Sequence, residues 1–201
     1  MPSIYQLKPA FQALLRPGVK CLAERGVSAN QVTIGAAALS VAFSVCLMAT
    51  PESRLLWLAL PFVLLLRMAL NAVDGMLARE FGHASKLGAM LNELTDILSD
   101  AALILAVGGA APGALLSLAT FAVAAALSEA AGLVGQTIGA SRRYDGPFGK
   151  SDRAAFLALI GFGLGLGWLP LTWIGPAAGV ATVLTLWTTV NRMRAALAEL
   201  N

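Results

Sequence analysis

Long apolar stretches constrain the fold of this chain more than any other feature of its sequence. Of its 201 residues, 58% are hydrophobic and only 12% are charged, whereas about a quarter of the residues of soluble domains are charged. A membrane-spanning helix needs about 20 consecutive apolar residues. Six stretches approach that length, and they cover residues 30–49, 54–78, 87–110, 113–137, 154–168 and 171–191. We therefore predict an all-α integral membrane protein with six transmembrane helices, a bundle over residues 30–191.

The segment before the first apolar stretch has a different pattern. Within residues 1–25, apolar side chains such as Phe11 and Leu15 alternate with basic ones such as Arg16 and Lys20. This pattern is typical of a helix that lies in the membrane interface, and it lacks the short apolar core and cleavage site of a signal peptide. We predict an N-terminal amphipathic interfacial helix that belongs, with the six-span bundle, to a single membrane domain over residues 1–201.

The positions of Lys and Arg predict the orientation in the membrane. Twelve of them lie outside the apolar stretches on one side, namely before the first stretch, after the second, after the fourth and after the sixth. Only Arg54 lies on the other side. Because basic residues are enriched in cytoplasmic segments, both termini and the two long polar loops are expected in the cytoplasm.

Polar residues inside the second and third stretches fall on one face of each helix, given the advance of about 100° per residue. If the two helices form an antiparallel hairpin that turns near His83, pairs of residues lie at equal depth. The expected pairs are Arg67 with Asp100, Asn71 with Asp96, and Asp74 with Glu93. Since buried charges need partners, we interpret Arg67 and Asp100 as a structural ion pair.

The carboxylates nearer the turn have few cations beside them within the hairpin. Asp74, Glu93 and Asp96 would repel one another unless they were protonated or bridged by a cation. Oxygen ligands without His or Cys nearby favour Mg²⁺ or Mn²⁺ over Zn²⁺. A second interpretation is also open, in which these are helix-end carboxylates that are partly solvated and partly paired with Arg79 and Lys86.

The stretch over residues 71–100, NAVDGMLAREFGHASKLGAMLNELTDILSD, resembles the signature of the CDP-alcohol phosphatidyltransferases. Six positions agree in residue type and spacing, and they are Asp74, Gly75, Ala78, Arg79, Gly88 and Asp96. Asn71 and Asn92 depart from the signature, because the family has aspartates there. The pattern is most similar to a small bacterial subgroup of the family.

Enzymes of this family transfer a phosphatidyl, or substituted phosphoryl, group from a CDP-linked lipid to an alcohol and release CMP. The resemblance implies that Asp96 is the general base. It implies that the CDP-linked lipid contacts Asp74, Gly75, Ala78, Arg79 and Gly88. It also implies a site for Mg²⁺ or Mn²⁺ whose ligands come from Asp74, Asp96, Asn71, Asn92 and Glu93, with Glu93 compensating for the asparagine at position 92.

Two further segments extend the resemblance. The loop RRYDGPFGKSDRA is similar to the basic segment that holds the acceptor alcohol or its phosphate in the family, which implies acceptor contacts from Arg142, Lys150 and Arg153. The positive-inside rule alone would also place these charges there. The segment SANQVT, with Asn30 and Thr33, resembles the start of the first span near the headgroup site, and it could equally be an ordinary helix cap.

Taken together, the sequence predicts a phospholipid-synthesising transferase of the bacterial inner membrane, with its active site in the cytoplasmic leaflet. CDP-diacylglycerol is the expected donor, and a polyol or glycerol phosphate is an expected acceptor. A homodimer is expected and a nucleic-acid partner is not. The alternative, suggested by Asn71 and Asn92, is a catalytically inactive relative that binds a nucleotide lipid or acts as a scaffold. Glu129, within the fourth stretch, has no assigned role.

Overall fold

Helices account for all the regular secondary structure of the part that the computed structural model describes, residues 7–200, with side chains described from residue 10 onward. The seven α-helices are α1 (Leu7–Glu24), α2 (Ala29–Ala49), α3 (Arg54–Glu80), α4 (Lys86–Ala110), α5 (Leu115–Val134), α6 (Lys150–Gly165) and α7 (Ile174–Leu200). Short 3-10 turns flank α5 and precede α7. The prediction of an all-α chain is confirmed for these residues. Residues 1–6 of the predicted interfacial segment lie outside them.

Four segments of the described chain are long and apolar enough to cross a membrane. They are Ala29–Ala49, Arg54–Glu80, Pro112–Ile138 and Leu171–Leu200. The other two predicted spans also form helices, but α4 carries four charged residues and α6 has 16 residues. Neither therefore has the composition and length of a lipid-exposed span. The fold is that of an integral membrane protein, and the six-span arrangement stays a prediction.

Several helix ends differ from those expected from hydropathy. α6 begins at Lys150 rather than at residue 154, because Asp152 Oδ2 accepts a hydrogen bond from the Gly149 N–H (2.8 Å) and so caps the helix. α7 continues to Leu200, so Arg192 belongs to a helix rather than to a tail. In both cases the helix continues through polar residues beyond the apolar stretch, and hydropathy alone does not reveal such polar helix ends.

The helix packing gives the charged helix α4 protein neighbours on two sides. α4 packs against α2 and α5, α3 packs against α2 and α6, and α5 packs against α7. A continuous apolar core runs through these contacts and includes Leu60, Leu103, Phe121 and Ile160. Because α4 has protein on two sides, its acidic side chains can meet partners from other helices instead of lipid.

Glycine allows α3 and α6 to approach closely. A Cβ atom added at Gly161 would lie 2.8 Å from the carbonyl oxygen of Trp57 and 3.1 Å from Leu60 Cβ, and the first distance is too short for real contacts. Small residues at such crossings are typical of membrane helices. Gly161 therefore sets the distance between the two helices.

Replacing Gly161 with alanine is expected to destabilise the protein by about 1–3 kcal/mol, because the added methyl group pushes α6 away from α3. Gly179 in α7 is the matched control, since its added Cβ would meet no atom within 4 Å. Gly179→Ala should be neutral or slightly stabilising. Thermal unfolding of both variants in the same detergent measures the difference, and equal melting temperatures would contradict the packing argument.

Candidate functional site

A cavity of about 410 Å³ lies among α1, α2, α3 and α4. This volume is in the range of small-molecule sites. Eight of the residues that the sequence singled out line the cavity together: Asn71, Asp74, Gly75, Ala78, Arg79, Gly88, Asn92 and Glu93. The hairpin of α3 and α4 therefore presents the greater part of its signature to one cavity.

Helix α1 supplies cavity residues that sequence reasoning missed. Phe11 and Gln12 line the cavity. α1 is held to α3 by the ion pair of Arg16 Nη1 with Glu80 Oε2 (3.0 Å) and by the fully buried Val19. The amphipathic pattern of residues 1–25 predicted a helix here, but it gave no indication that one end of that helix reaches the site.

Asp74 is the buried carboxylate of the cavity wall. Its side chain is 4% exposed, and its Oδ2 atom accepts a hydrogen bond of 2.7 Å from the Thr33 hydroxyl. No Lys or Arg side chain within the described residues forms an ion pair with it. The segment SANQVT thus has two roles: Ser28 and Gln31 form the capping box of α2, while Asn30 and Thr33 line the cavity.

The motif glycines allow close approaches at the cavity. A Cβ atom at Gly88 would lie 2.6 Å from Asn30 Oδ1 and 2.9 Å from Ser85 Oγ, so glycine lets the start of α4 approach α2. At Gly75, a Cβ atom would lie 3.0 Å from the guanidinium group of Arg79. The Arg79 side chain therefore lies over Gly75, with its charge at the cavity.

Two of the three expected contacts across the hairpin are confirmed. Arg67 Nη1 lies 2.5 Å from Asp100 Oδ1, and the Asn71 amide donates to Asp96 Oδ1 at 2.8 Å. Arg67 also donates to the Asp96 backbone carbonyl (3.1 Å) and to Asp96 Oδ1 (3.3 Å). The third pair, Asp74 and Glu93, lines the same cavity without a direct hydrogen bond between the two side chains.

The expectation that the shallower carboxylates lack cations is wrong for two of them. Lys150 forms an ion pair with Asp96, and Arg142 forms one with Glu93. Both cations come from the segment between α5 and α6 and the start of α6, far from the hairpin in sequence. Neither Arg79 nor Lys86 makes these contacts in the described structure, so the second interpretation of the carboxylates named the wrong partners.

Glu129 is a central member of a buried charge network behind the cavity. Its Oε1 atom lies 2.7 Å from Arg153 Nη2 and 3.3 Å from Arg192 Nη1, and its Oε2 atom lies 3.7 Å from Arg142 Nη2. Arg153 Nη2 is also 3.0 Å from Asp100 Oδ2. Glu129 could not be assigned a role from the sequence, because its partners lie in α6, in α7 and in the loop before α6.

The donor atoms at the cavity determine what kind of metal ion the site could hold. Within the described residues, no three Asp, Glu, His or Cys side chains form a metal-binding group. Asp74 and Glu93 do line the cavity together with the amides of Asn71 and Asn92, and all four offer hard oxygen ligands. This set fits one cation of the Mg²⁺ or Mn²⁺ type. Asp96 does not line the cavity.

Comparison with known proteins gives consistent results. The family pattern described as CDP-alcohol phosphatidyltransferase matches residues 27–191. The chain is 43% identical to the inner membrane protein YnbA of Escherichia coli, over 97% of this chain and 96% of that protein. It is 30% identical to the phosphatidylinositol phosphate synthase of Mycolicibacterium smegmatis, over 96% and 90% of the two chains.

A solved structure shares the fold. The crystal structure of the Mycobacterium tuberculosis phosphatidylinositol phosphate synthase with CDP-DAG bound superposes with a TM-score of 0.73, at 20% identity, over 90% of this chain and 92% of that one. The family pattern covers most of the sequence, and two relatives at 30% identity or more match along nearly the whole chain. This chain therefore belongs to the CDP-alcohol phosphatidyltransferase family.

Proposed function

We propose that the protein transfers a phosphatidyl group from a CDP-linked lipid, such as CDP-diacylglycerol, to an alcohol and releases CMP. The observation that supports this most directly is the single cavity into which the motif residues converge, with Asp96 hydrogen-bonded to Asn71 at its edge. The solved relative with CDP-DAG bound shares the fold, which makes a CDP-linked lipid the natural occupant of this cavity.

The donor would bind through its diphosphate and its nucleotide. Arg79 offers a planar, permanently charged group at the cavity that suits phosphate oxygens. Gly75, Ala78 and Gly88 leave room for the nucleotide, and Phe11 and Gln12 of α1 would form the remaining wall. The acyl chains can stay in the bilayer, because α2 and α3, two of the helices around the cavity, are long and apolar enough to cross a membrane.

The transfer step needs a proton acceptor next to the alcohol. The acceptor oxygen attacks the phosphorus of the phosphatidyl group, a new P–O bond forms, and the P–O bond to CMP breaks with its electron pair leaving on CMP. Asp96 takes the hydroxyl proton as general base. Arg67 and Asn71 orient its carboxylate through Oδ1, and Lys150 contacts Oδ2.

A divalent cation, held by Asp74 and Glu93 with the amides of Asn71 and Asn92, would neutralise the diphosphate and polarise the attacked phosphorus. Mg²⁺ and Mn²⁺ suit these oxygen ligands, and the M. tuberculosis relative has been solved in complex with manganese. The sequence named Asp96 both as the base and as a metal ligand. We assign it to the base alone, because Arg67, Asn71 and Lys150 already contact its carboxylate oxygens.

The proposed location follows from the relative and from the charges. The E. coli relative is an inner membrane protein. Six spans would place both termini and the cavity at the cytoplasmic side, in agreement with the positions of Lys and Arg. One membrane domain and a homodimer complete the proposal.

An assay of CMP release tests the function. Purified protein in detergent is expected to release CMP from CDP-diacylglycerol in the presence of Mg²⁺ or Mn²⁺ and a panel of alcohols, and to stop when EDTA is added. The rival proposal, an inactive relative that binds nucleotide lipid, is favoured by Asn71 and Asn92 at two metal-ligand positions. Folded protein that binds CDP-diacylglycerol but releases no CMP with any acceptor and either metal would establish that rival.

A further inference from the structure

The basic residues expected to hold an anionic acceptor are already paired near the cavity. Lys150 contacts Asp96, and Arg142 contacts Glu93. The side chains of these four residues are only 18–30% exposed. At such partly buried positions a cation that is already paired with a carboxylate attracts a second anion less strongly, because its charge is already compensated.

The deeper arginines are paired as well. Arg153 and Arg192 are 1% and 2% exposed, and both contact Glu129, which is 7% exposed. Arg153 also contacts Asp100. One glutamate of α5 therefore pairs with arginines from both α6 and α7 at the same place, in a region where water cannot screen their charges.

The network is close to electrical balance. Its five cations are Arg67, Arg142, Lys150, Arg153 and Arg192, and its four carboxylates are Glu93, Asp96, Asp100 and Glu129. A phosphate monoester carries a charge of about −1.5 to −2 at neutral pH. The network has one more cation than carboxylates, so such an acceptor beside Asp96 would turn a small positive charge into a net negative one in a partly buried site. The divalent cation proposed above would neutralise the diphosphate of the donor, not the phosphate of the acceptor.

Hydrogen-bond donors nevertheless remain at the network. Nε and Nη1 of Arg153, Nε of Arg142 and Nε of Arg192 are buried and have no hydrogen-bond partner within the described residues. Each of these arginines has a carboxylate partner, but these N–H groups form no hydrogen bond within the described residues. Hydroxyl oxygens satisfy such donors without bringing a charge, and a buried donor left unsatisfied is costly.

From this balance we propose that the acceptor is an uncharged polyhydroxy alcohol, and that Glu129 is the specificity determinant that disfavours phosphorylated acceptors. This proposal rests on the proposed transferase function and narrows its acceptor. Glu129 acts by occupying the guanidinium groups that a phosphate would otherwise bind, which is selection by an unfavourable charge rather than by an added contact.

The test compares matched acceptors with and without a phosphate. Purified full-length protein is assayed with CDP-diacylglycerol, Mg²⁺ or Mn²⁺, and two pairs of acceptors. One pair is glycerol and glycerol 3-phosphate, and the other is inositol and inositol 1-phosphate. For the wild type, kcat/KM is expected to be at least about tenfold higher for the uncharged member of each pair, the ratio expected from one lost charge interaction. Inorganic phosphate should inhibit the wild type weakly.

Glu129→Gln removes the only carboxylate that pairs with Arg192 in the described part of the chain and one of the two that pair with Arg153, with little change of shape. It should shift the selectivity about tenfold toward the phosphorylated acceptors and strengthen inhibition by inorganic phosphate. If this variant does not fold, the wild-type acceptor panel still tests whether the acceptor is uncharged. Wild-type turnover with phosphorylated acceptors alone would overturn the proposal and leave the transferase function intact. If folded protein released no CMP with any acceptor, both the acceptor proposal and the transferase function would be contradicted. The two failures can therefore be distinguished.

Discussion

Replacing Asp96 with asparagine is expected to lower CMP release by about 10²–10⁴-fold, the range that a positioned general base contributes. An amide keeps the size of the side chain and an oxygen that can accept the Asn71 hydrogen bond, but it cannot take up the hydroxyl proton. The loss should appear in kcat, while binding of CDP-diacylglycerol persists, because Asp96 does not line the cavity of the donor.

The structure indicates that this variant will fold. The partner that loses its counter-charge, Lys150, has a side chain 30% exposed and can be solvated, and Arg67 keeps Asp100 at 2.5 Å. Asp145→Asn is the matched control, since Asp145 is 44% exposed and contacts only Arg143 within the described residues. Activity close to wild type in Asp96→Asn would place the base elsewhere, and loss of the melting transition would show that Asp96 is structural.

Spacing along the chain was sufficient to predict the contacts between α3 and α4. Two antiparallel helices joined by a short turn have a fixed register, so the contacts Arg67–Asp100 and Asn71–Asp96 follow from residue numbers and helical periodicity. Both are present. The convergence of the motif glycines and Asp74 on one cavity follows from the same register and from the family signature.

The contacts that Arg142 and Lys150 make with the hairpin could not be predicted in this way. Nothing in local periodicity connects Lys150 with Asp96, or Arg142 with Glu93, because these contacts depend on how the α5–α6 segment returns to the hairpin. Counting charges within the hairpin alone therefore suggested an excess of carboxylates. In the folded protein, cations from outside the hairpin pair with two of them. Hydropathy likewise ended the last helix too early, because Arg192 continues α7 inside the protein.

The largest stability effect is expected at Arg153. Arg153 is 1% exposed and joins three helices, since its Nη2 atom contacts Asp100 on α4 and Glu129 on α5. Replacing it with methionine leaves a hydrophobic side chain of similar length but removes a cation shared by two buried carboxylates. We expect Arg153→Met to destabilise the protein by about 3–5 kcal/mol, the usual cost of leaving buried charges without a partner.

Arg16→Met is the matched control, because the Arg16–Glu80 pair has side chains 57% and 34% exposed and such surface pairs contribute about 0–1 kcal/mol. Arg153→Lys should fall between the two, since an ammonium group restores the charge but not the planar fork that reaches both carboxylates. Unfolding in detergent, followed by tryptophan fluorescence, ranks the three variants. If Arg153→Met were no more destabilising than Arg16→Met, the buried network would not hold α4, α5 and α6 together, and the charge balance that limits the acceptor would lose its rigid framework.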